Sequence, residues 1–261
     1  ANTVRDVQVR PVNVEASVKW PETRVAFDQE RDQRHLPQET WFAVTAGLIR
    51  TPFGFEPGEG TLRRPWLEQT TMSQAFFPGQ FDLGIRVIGA FSFVTYQLGI
   101  MNGDPIGESA FPGRDPNKSK DLVFRVGGAG WLTESFRISG GVSGLTGRGF
   151  HKGNAATADQ IVWRDLDEDG VVDPIELQSI KGSPAEPSST FKRFALGADL
   201  RVYVVLPVLG ELGLRGEVVR ASNLDRGLVV ADPVATSRDL REVGWYVGAT
   251  QELTRWAQVG I

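Results

Sequence analysis

The densest chemistry in the chain lies in one acidic run, Asp165-Leu166-Asp167-Glu168-Asp169-Gly170-Val171-Val172-Asp173-Pro174-Ile175-Glu176. It satisfies the pattern D-x-[DN]-x-[DN]-G-x5-E in full. A hard cation such as Ca²⁺ takes about six to eight oxygen ligands, and this spacing wraps oxygens around one point. A plainer reading is an acidic surface turn that starts a helix. Asp173 then serves as N-cap, Pro174 as the first helical residue and Glu176 as the third. The two readings are compatible, because the exiting helix of such a loop begins there.

Other reactive constellations are lacking. The chain has 2 His, His35 and His151, both in polar links and neither in an H-E-x-x-H pattern. No G-x-S-x-G elbow or Walker loop is present. Gly127–Gly130 has no following helix and so reads as strand or turn, not a phosphate cradle. With 0 Cys there is neither a disulfide framework nor thiol chemistry. The expectation is a protein that is not an enzyme. The net charge of −4 argues against a general nucleic-acid partner.

The elements that must carry these residues are strands. In Phe81–Gly103, Phe81, Leu83, Ile85 and Val87 alternate with Asp82, Gly84 and Arg86. After a link at Gly89–Ser92, Val94, Tyr96, Leu98 and Ile100 alternate with Thr95, Gln97 and Gly99. A period of two is a strand with one apolar and one polar face, and two such runs form a hairpin. The same alternation recurs at Val12–Trp20, Leu122–Gly127, Phe136–Val142, Phe194–Val202, Leu212–Val218 and Val243–Ala249. Weaker strands are expected at Val4–Val9, Arg24–Gln29 and Trp41–Ile49. Residues 50–80 are too rich in aromatics for a flexible linker and are expected to pack against something.

From residue 50 onward, long and short connections alternate. Antiparallel neighbours with short turns at one end and long loops at the other are the layout of an outer-membrane barrel. The expected fold is therefore all-β, an antiparallel up-and-down transmembrane β-barrel, present as a partial barrel of about ten to twelve strands. The whole of 1–261 reads as one domain and 146–191 as a long extracellular loop insertion. With the apolar positions facing lipid, Lys19, Arg86, Arg125, Arg137, Arg201 and Arg215 face inward. So do Glu15, Asp82, Asp199, Glu211 and Glu217. Arginines lining a pore can favour anions, and mixed signs can equally form a salt-bridged wall with little selectivity.

Two resemblances accompany this reading. Residues 165–176 resemble an EF-hand type calcium loop. That match implies carboxylate ligands from Asp165, Asp167 and Asp169, a backbone carbonyl from Val171, Asp173 acting directly or through water, and bidentate Glu176. The segments TAGLIRTPFGFE (45–56), RRPWLEQ (63–69), AFFPGQFDLGIRVIG (75–89) and YQLGIMNGDP (96–105) resemble the phosphate-selective porin O and P family. This resemblance covers residues 40–261. It implies a trimeric passive pore narrowed by an inward-folded loop, with about 16 or more strands, so that the chain would be a fragment of a larger porin.

The functional expectation is an outer-membrane porin of the bacterial cell that passes small hydrophilic solutes, with an anion or phosphate leaning. Its partners would be those solutes, outer-membrane lipid and two further copies in a homotrimer, and Ca²⁺ would stiffen its long loop. The alternative is a secreted, soluble β-rich calcium-binding module with a structural or adhesive role.

Overall fold

The computed structural model describes residues 14–20, 41–58, 66, 68–77, 81–103, 118–166, 168–224, 231–254 and 256–261. The expected strands at Val4–Val9 and Arg24–Gln29 lie outside them.

Among the described residues twelve strands form in chain order. They are β1 (Val14–Trp20), β2 (Phe42–Arg50), β3 (Phe81–Phe91), β4 (Val94–Met101), β5 (Asp121–Thr133), β6 (Phe136–His151), β7 (Gln160–Trp163), β8 (Leu177–Ile180), β9 (Ser189–Leu206), β10 (Gly210–Ser222), β11 (Arg241–Thr254) and β12 (Ala257–Gly260). Short helices α1 (Thr71–Phe76) and α2 (Pro233–Thr236) sit in connections. Ten strands make one antiparallel sheet in the order β1-β2-β3-β4-β5-β6-β9-β10-β11-β12. The remaining pair, β7 and β8, is a separate two-stranded sheet.

Local sequence explains the pairing. β3 and β4 meet at a tight turn where Ser92 takes a left-handed conformation, φ 56°, and Phe91 pairs with Val94. The link expected at Gly89–Ser92 is thus shorter, because Gly89–Phe91 continue β3. β9 and β10 close through Pro207–Gly210, with Gly210 at φ 77°.

Side-chain alternation gives the sheet two unlike faces. Leu83, Ile85, Leu98, Ile100, Phe124, Leu200, Trp245 and Val247 project from one face and are exposed. The opposite face is polar in the middle and buried, with Asp82, Asp121, Arg125, Arg137, Asp199 and Glu217 all below a tenth exposed. Residues 51–58 and 68–77 fold across it. Phe53, Met72, Phe76 and Phe77 pack there with Ile49, Met101, Val123, Leu145, Ala195 and Val219. Phe53 and Phe77 stack with ring centroids 4.7 Å apart. The aromatic connection is therefore a strap that fills the inner face.

The closed barrel expected from the loop pattern is not what the chain builds. Among the described residues β1 pairs only with β2 and β12 only with β11. Over the described residues the sheet is an open meander whose first and last strands, β1 and β12, do not pair with each other. Alternating loop lengths specify antiparallel neighbours. They do not specify whether the first and last strands meet, which depends on tilt, stagger and strand number together. An edge left open would leave a row of backbone N–H and C=O groups unpaired in hydrocarbon. The transmembrane expectation falls with the closure. No helix among the described residues is long and apolar enough to cross a membrane.

Candidate functional site

The acidic run occupies the tip of an arm that leaves the main sheet between β6 and β9. The two sides of the arm are tied in sequence. Asn154 and Glu186 form an isolated bridge, Thr157 N–H donates to Ser183 O at 3.0 Å, and β7 pairs with β8 from Gln160↔Ile180 to Trp163↔Leu177. At the neck of the tip, Arg164 N–H donates to Glu176 O at 3.1 Å. The segment that would be an entering helix in the resembled loop is the strand β7.

Within the tip the backbone turns on its own acidic side chains. Asp165 Oδ2 accepts from Gly170 N–H at 3.0 Å, and Asp169 Oδ1 accepts from Val171 N–H at 2.7 Å. Gly170 sits at φ 75°, and a Cβ there would meet open space. Its requirement is therefore conformational, for a left-handed backbone that favours glycine. Asp173 precedes a single 3-10 turn, Pro174–Glu176. Glu176 is buried, with 4 % exposure. Its Oε1 accepts from Leu166 N–H at 2.7 Å, and its Oε2 accepts from Trp163 Nε1–H at 2.9 Å and Asp173 N–H at 3.3 Å. Asp165 Oδ1 is buried without a hydrogen-bond partner among the described residues.

Among the described residues no three His, Asp or Glu side chains converge as ligands of an occupied site would. Asp167 lies outside them. Glu176 is instead turned onto the donors of its own loop. A buried carboxylate must be hydrogen-bonded, and these three donors meet that need.

Of the charged residues expected to face a lumen, Asp82, Arg125, Arg137, Asp199 and Glu217 are buried on the strapped face and held in contacts. Arg125 grips Asp199 with Nη2 2.6 Å from Oδ1 and Nε 3.2 Å from Oδ2. Asp199 stands opposite Glu217 across β9 and β10. Glu217 accepts from Phe55 N–H at 3.3 Å and Glu56 N–H at 3.2 Å. Gly54 N–H donates to Ser143 Oγ at 3.0 Å. Glu56 in turn accepts from Thr70 N–H at 2.9 Å and Oγ1–H at 2.5 Å, holding the strap in its own fold. Burial raises Glu217 to about 7, outweighing the Glu56 N–H, and nearby Asp199 adds to the rise.

Three other arginines lie against aromatic rings. Arg137 lies over Trp131 and Tyr203, Arg201 over Phe55 at 3.7 Å, and Arg215 over Trp66 at 5.2 Å. Asp82 accepts from Leu83 and Gly103 N–H, both at 2.7 Å. Arg86 reaches Arg50 O at 3.5 Å. Lys19 lies in β1 opposite Ala43.

Sequence reasoning missed Glu56 and the pair formed by His151 and Asp232, whose side chains meet at 2.6 Å. The pair is separated by 81 positions, and neither residue stands in a motif.

Comparison with protein-family models, curated proteins and solved structures yields no match. The resemblance to the phosphate-selective porins rested on short Gly-rich segments. These recur wherever strands need close backbone approach. With no family match and an open sheet whose inner face is filled by its own strap, that resemblance is overturned. Overturned with it are the porin function, the trimer it implied, lipid and permeating solutes as partners, and the outer-membrane location.

Proposed function

We propose that the chain is a secreted β-rich calcium-binding module with a structural role, in which Ca²⁺ stiffens the arm between β6 and β9. The observation that carries this reading is the twelve-position acidic pattern folded as a tight loop. Its Asp165 and Gly170 meet at 3.0 Å, and Asp165 Oδ1 is buried and unpartnered among the described residues. Ligands would come from Asp165, Asp167, Asp169, the Val171 carbonyl, Asp173 and Glu176, the last after leaving its present donors. Ca²⁺ suits these oxygens because it tolerates irregular geometry, and extracellular modules bind it in the range of about 10⁻⁴–10⁻³ M.

Calorimetric titration of the intact chain with Ca²⁺ tests this. The expected result is one ion per chain, with affinity at least about tenfold weaker in Asp165→Asn and Asp169→Asn. These exposed-loop variants avoid the buried Glu176. Equal heats in wild type and both variants would dismiss the site.

A further inference from the structure

The strap covers one face of the large sheet, and the register of the strands assembles the other. Residues directly opposite each other on antiparallel strands project from the same face. One such row runs Val126, Val142, Ala198, Val218 and Trp245 from β5 to β11. On one side of it lie Gly140, Leu200, Gly216 and Val247, from β6 to β11. On the other side lie Leu98, Phe124, Gly144 and Leu196, from β4 to β9. Every Val, Leu, Phe and Trp of these rows is between 39 % and 74 % exposed.

Side chains of this size, about half exposed, leave on the order of 1,000 Å² of apolar surface, above the roughly 300–600 Å² of the largest patch on a typical monomer and the roughly 800 Å² that each partner buries in a stable interface. The named positions carry no charge, so they give a charged partner nothing to match. They do carry relief. Trp245 and Val247 rise in the same rows as the low points Ala198 and Gly216.

We propose that this face docks a second copy of the chain, sheet against sheet, about a two-fold axis. A two-fold contact puts the same patch on both sides and needs it to be self-complementary. An uncharged apolar face with both knobs and hollows meets that need. Stacked antiparallel sheets lie about 10 Å apart with their strands within about 30° of each other. The outer rows of two copies then form the second core that one sheet alone lacks. Charge sets the direction of the axis. Arg220 stands opposite Leu196, and Arg148 faces Lys192 farther toward the arm. All three are exposed. An axis along the strands would stack these basic ends on each other, whereas an axis across the strands sends them to opposite ends. The second arrangement is the one proposed. Each copy's fold is carried by its strapped face, so the copies separate without unfolding, and melting below the dissociation concentration reads the single copy.

The contact is independent of calcium at the tip, so the test uses the full chain in detergent-free buffer with a chelator. Sedimentation velocity between about 1 and about 100 µM should show twice the mass of the chain, the concentration range in which an interface of ordinary size forms. Val247→Lys and Val142→Lys should each raise the dissociation constant at least about 100-fold, because a two-fold contact buries each new charge twice. Their far-UV circular dichroism should match wild type. Val208→Lys is the control. Val208 is 89 % exposed but lies in the turn between β9 and β10, so this variant should dimerise like wild type. A single-copy mass for wild type throughout the range would overturn the proposal. So would a dimer unchanged in both face variants, an open-ended series of larger species, or a chain that stays single in buffer and binds phosphatidylcholine vesicles through this face.

Discussion

Arg125 and Asp199 are joined by three short contacts at side-chain exposures of 9 % and 1 %. Removing one partner of such a pair leaves the other charge buried. Asp199 would then stand beside Glu217 without a cation. Arg125→Ala is expected to destabilise the chain by about 3–5 kcal/mol, measured by denaturant unfolding. Glu217 makes a different prediction, because its proton is held more tightly in the folded chain than in the unfolded one. Its stabilising contribution is full below about pH 4.5 and is lost as the pH rises through about 7. Unfolding free energy should therefore fall by a few kcal/mol across that window, at most about 1.4 kcal/mol for each pH step of one. Glu217→Gln should flatten this part of the profile. An unchanged slope in the variant would place the effect elsewhere.

The strap is the element that decides what the inner face is. Gly54, at φ 65°, carries it past Glu217, and a Cβ there would collide with Glu217 Oε1. Gly54→Ala combines a strained left-handed backbone with this collision. It is expected to cost about 1–3 kcal/mol and to expose residues 51–58 to proteolysis ahead of global unfolding. The strap's packing was legible in its aromatic content, since Phe53 and Phe77 are too apolar for a solvated loop. Its partners were not. Glu217 lies 161 positions from Glu56, and no local pattern reports a contact of that range. The calcium-like tip is the opposite case. Its inner turn is made by residues five or fewer apart, such as Asp165 with Gly170 and Asp169 with Val171, and the farthest of its closing contacts, Trp163 to Glu176, spans 13 positions, so short-range spacing exposes it.

At the scale of the molecule, stability resides on the polar face and the strap. The apolar outer face is open. Val247 is 74 % exposed and Val219 is 0 % exposed. Val247→Lys is therefore expected to change stability by no more than about 0.5 kcal/mol, while Val219→Ala, which opens a cavity beneath the strap, should cost about 1–3 kcal/mol. Thermal melting of both variants checks the contrast. The reverse ranking would mean that the outer face is the packed one.

By itself, the sequence determined most strands of the large antiparallel sheet, the division of those strands into an apolar and a polar side, and the acidic turn at 165–176. All three depend on periods and spacings of a few residues, and short-range sterics and hydrogen bonding enforce them. Tertiary structure alone decided that the sheet stays open and that the inward charges grip a strap. It also decided that His151 meets Asp232 and Glu186. These outcomes depend on where distant segments come to rest, on accumulated twist, and on which buried groups find partners. A period of two carries no information on any of them.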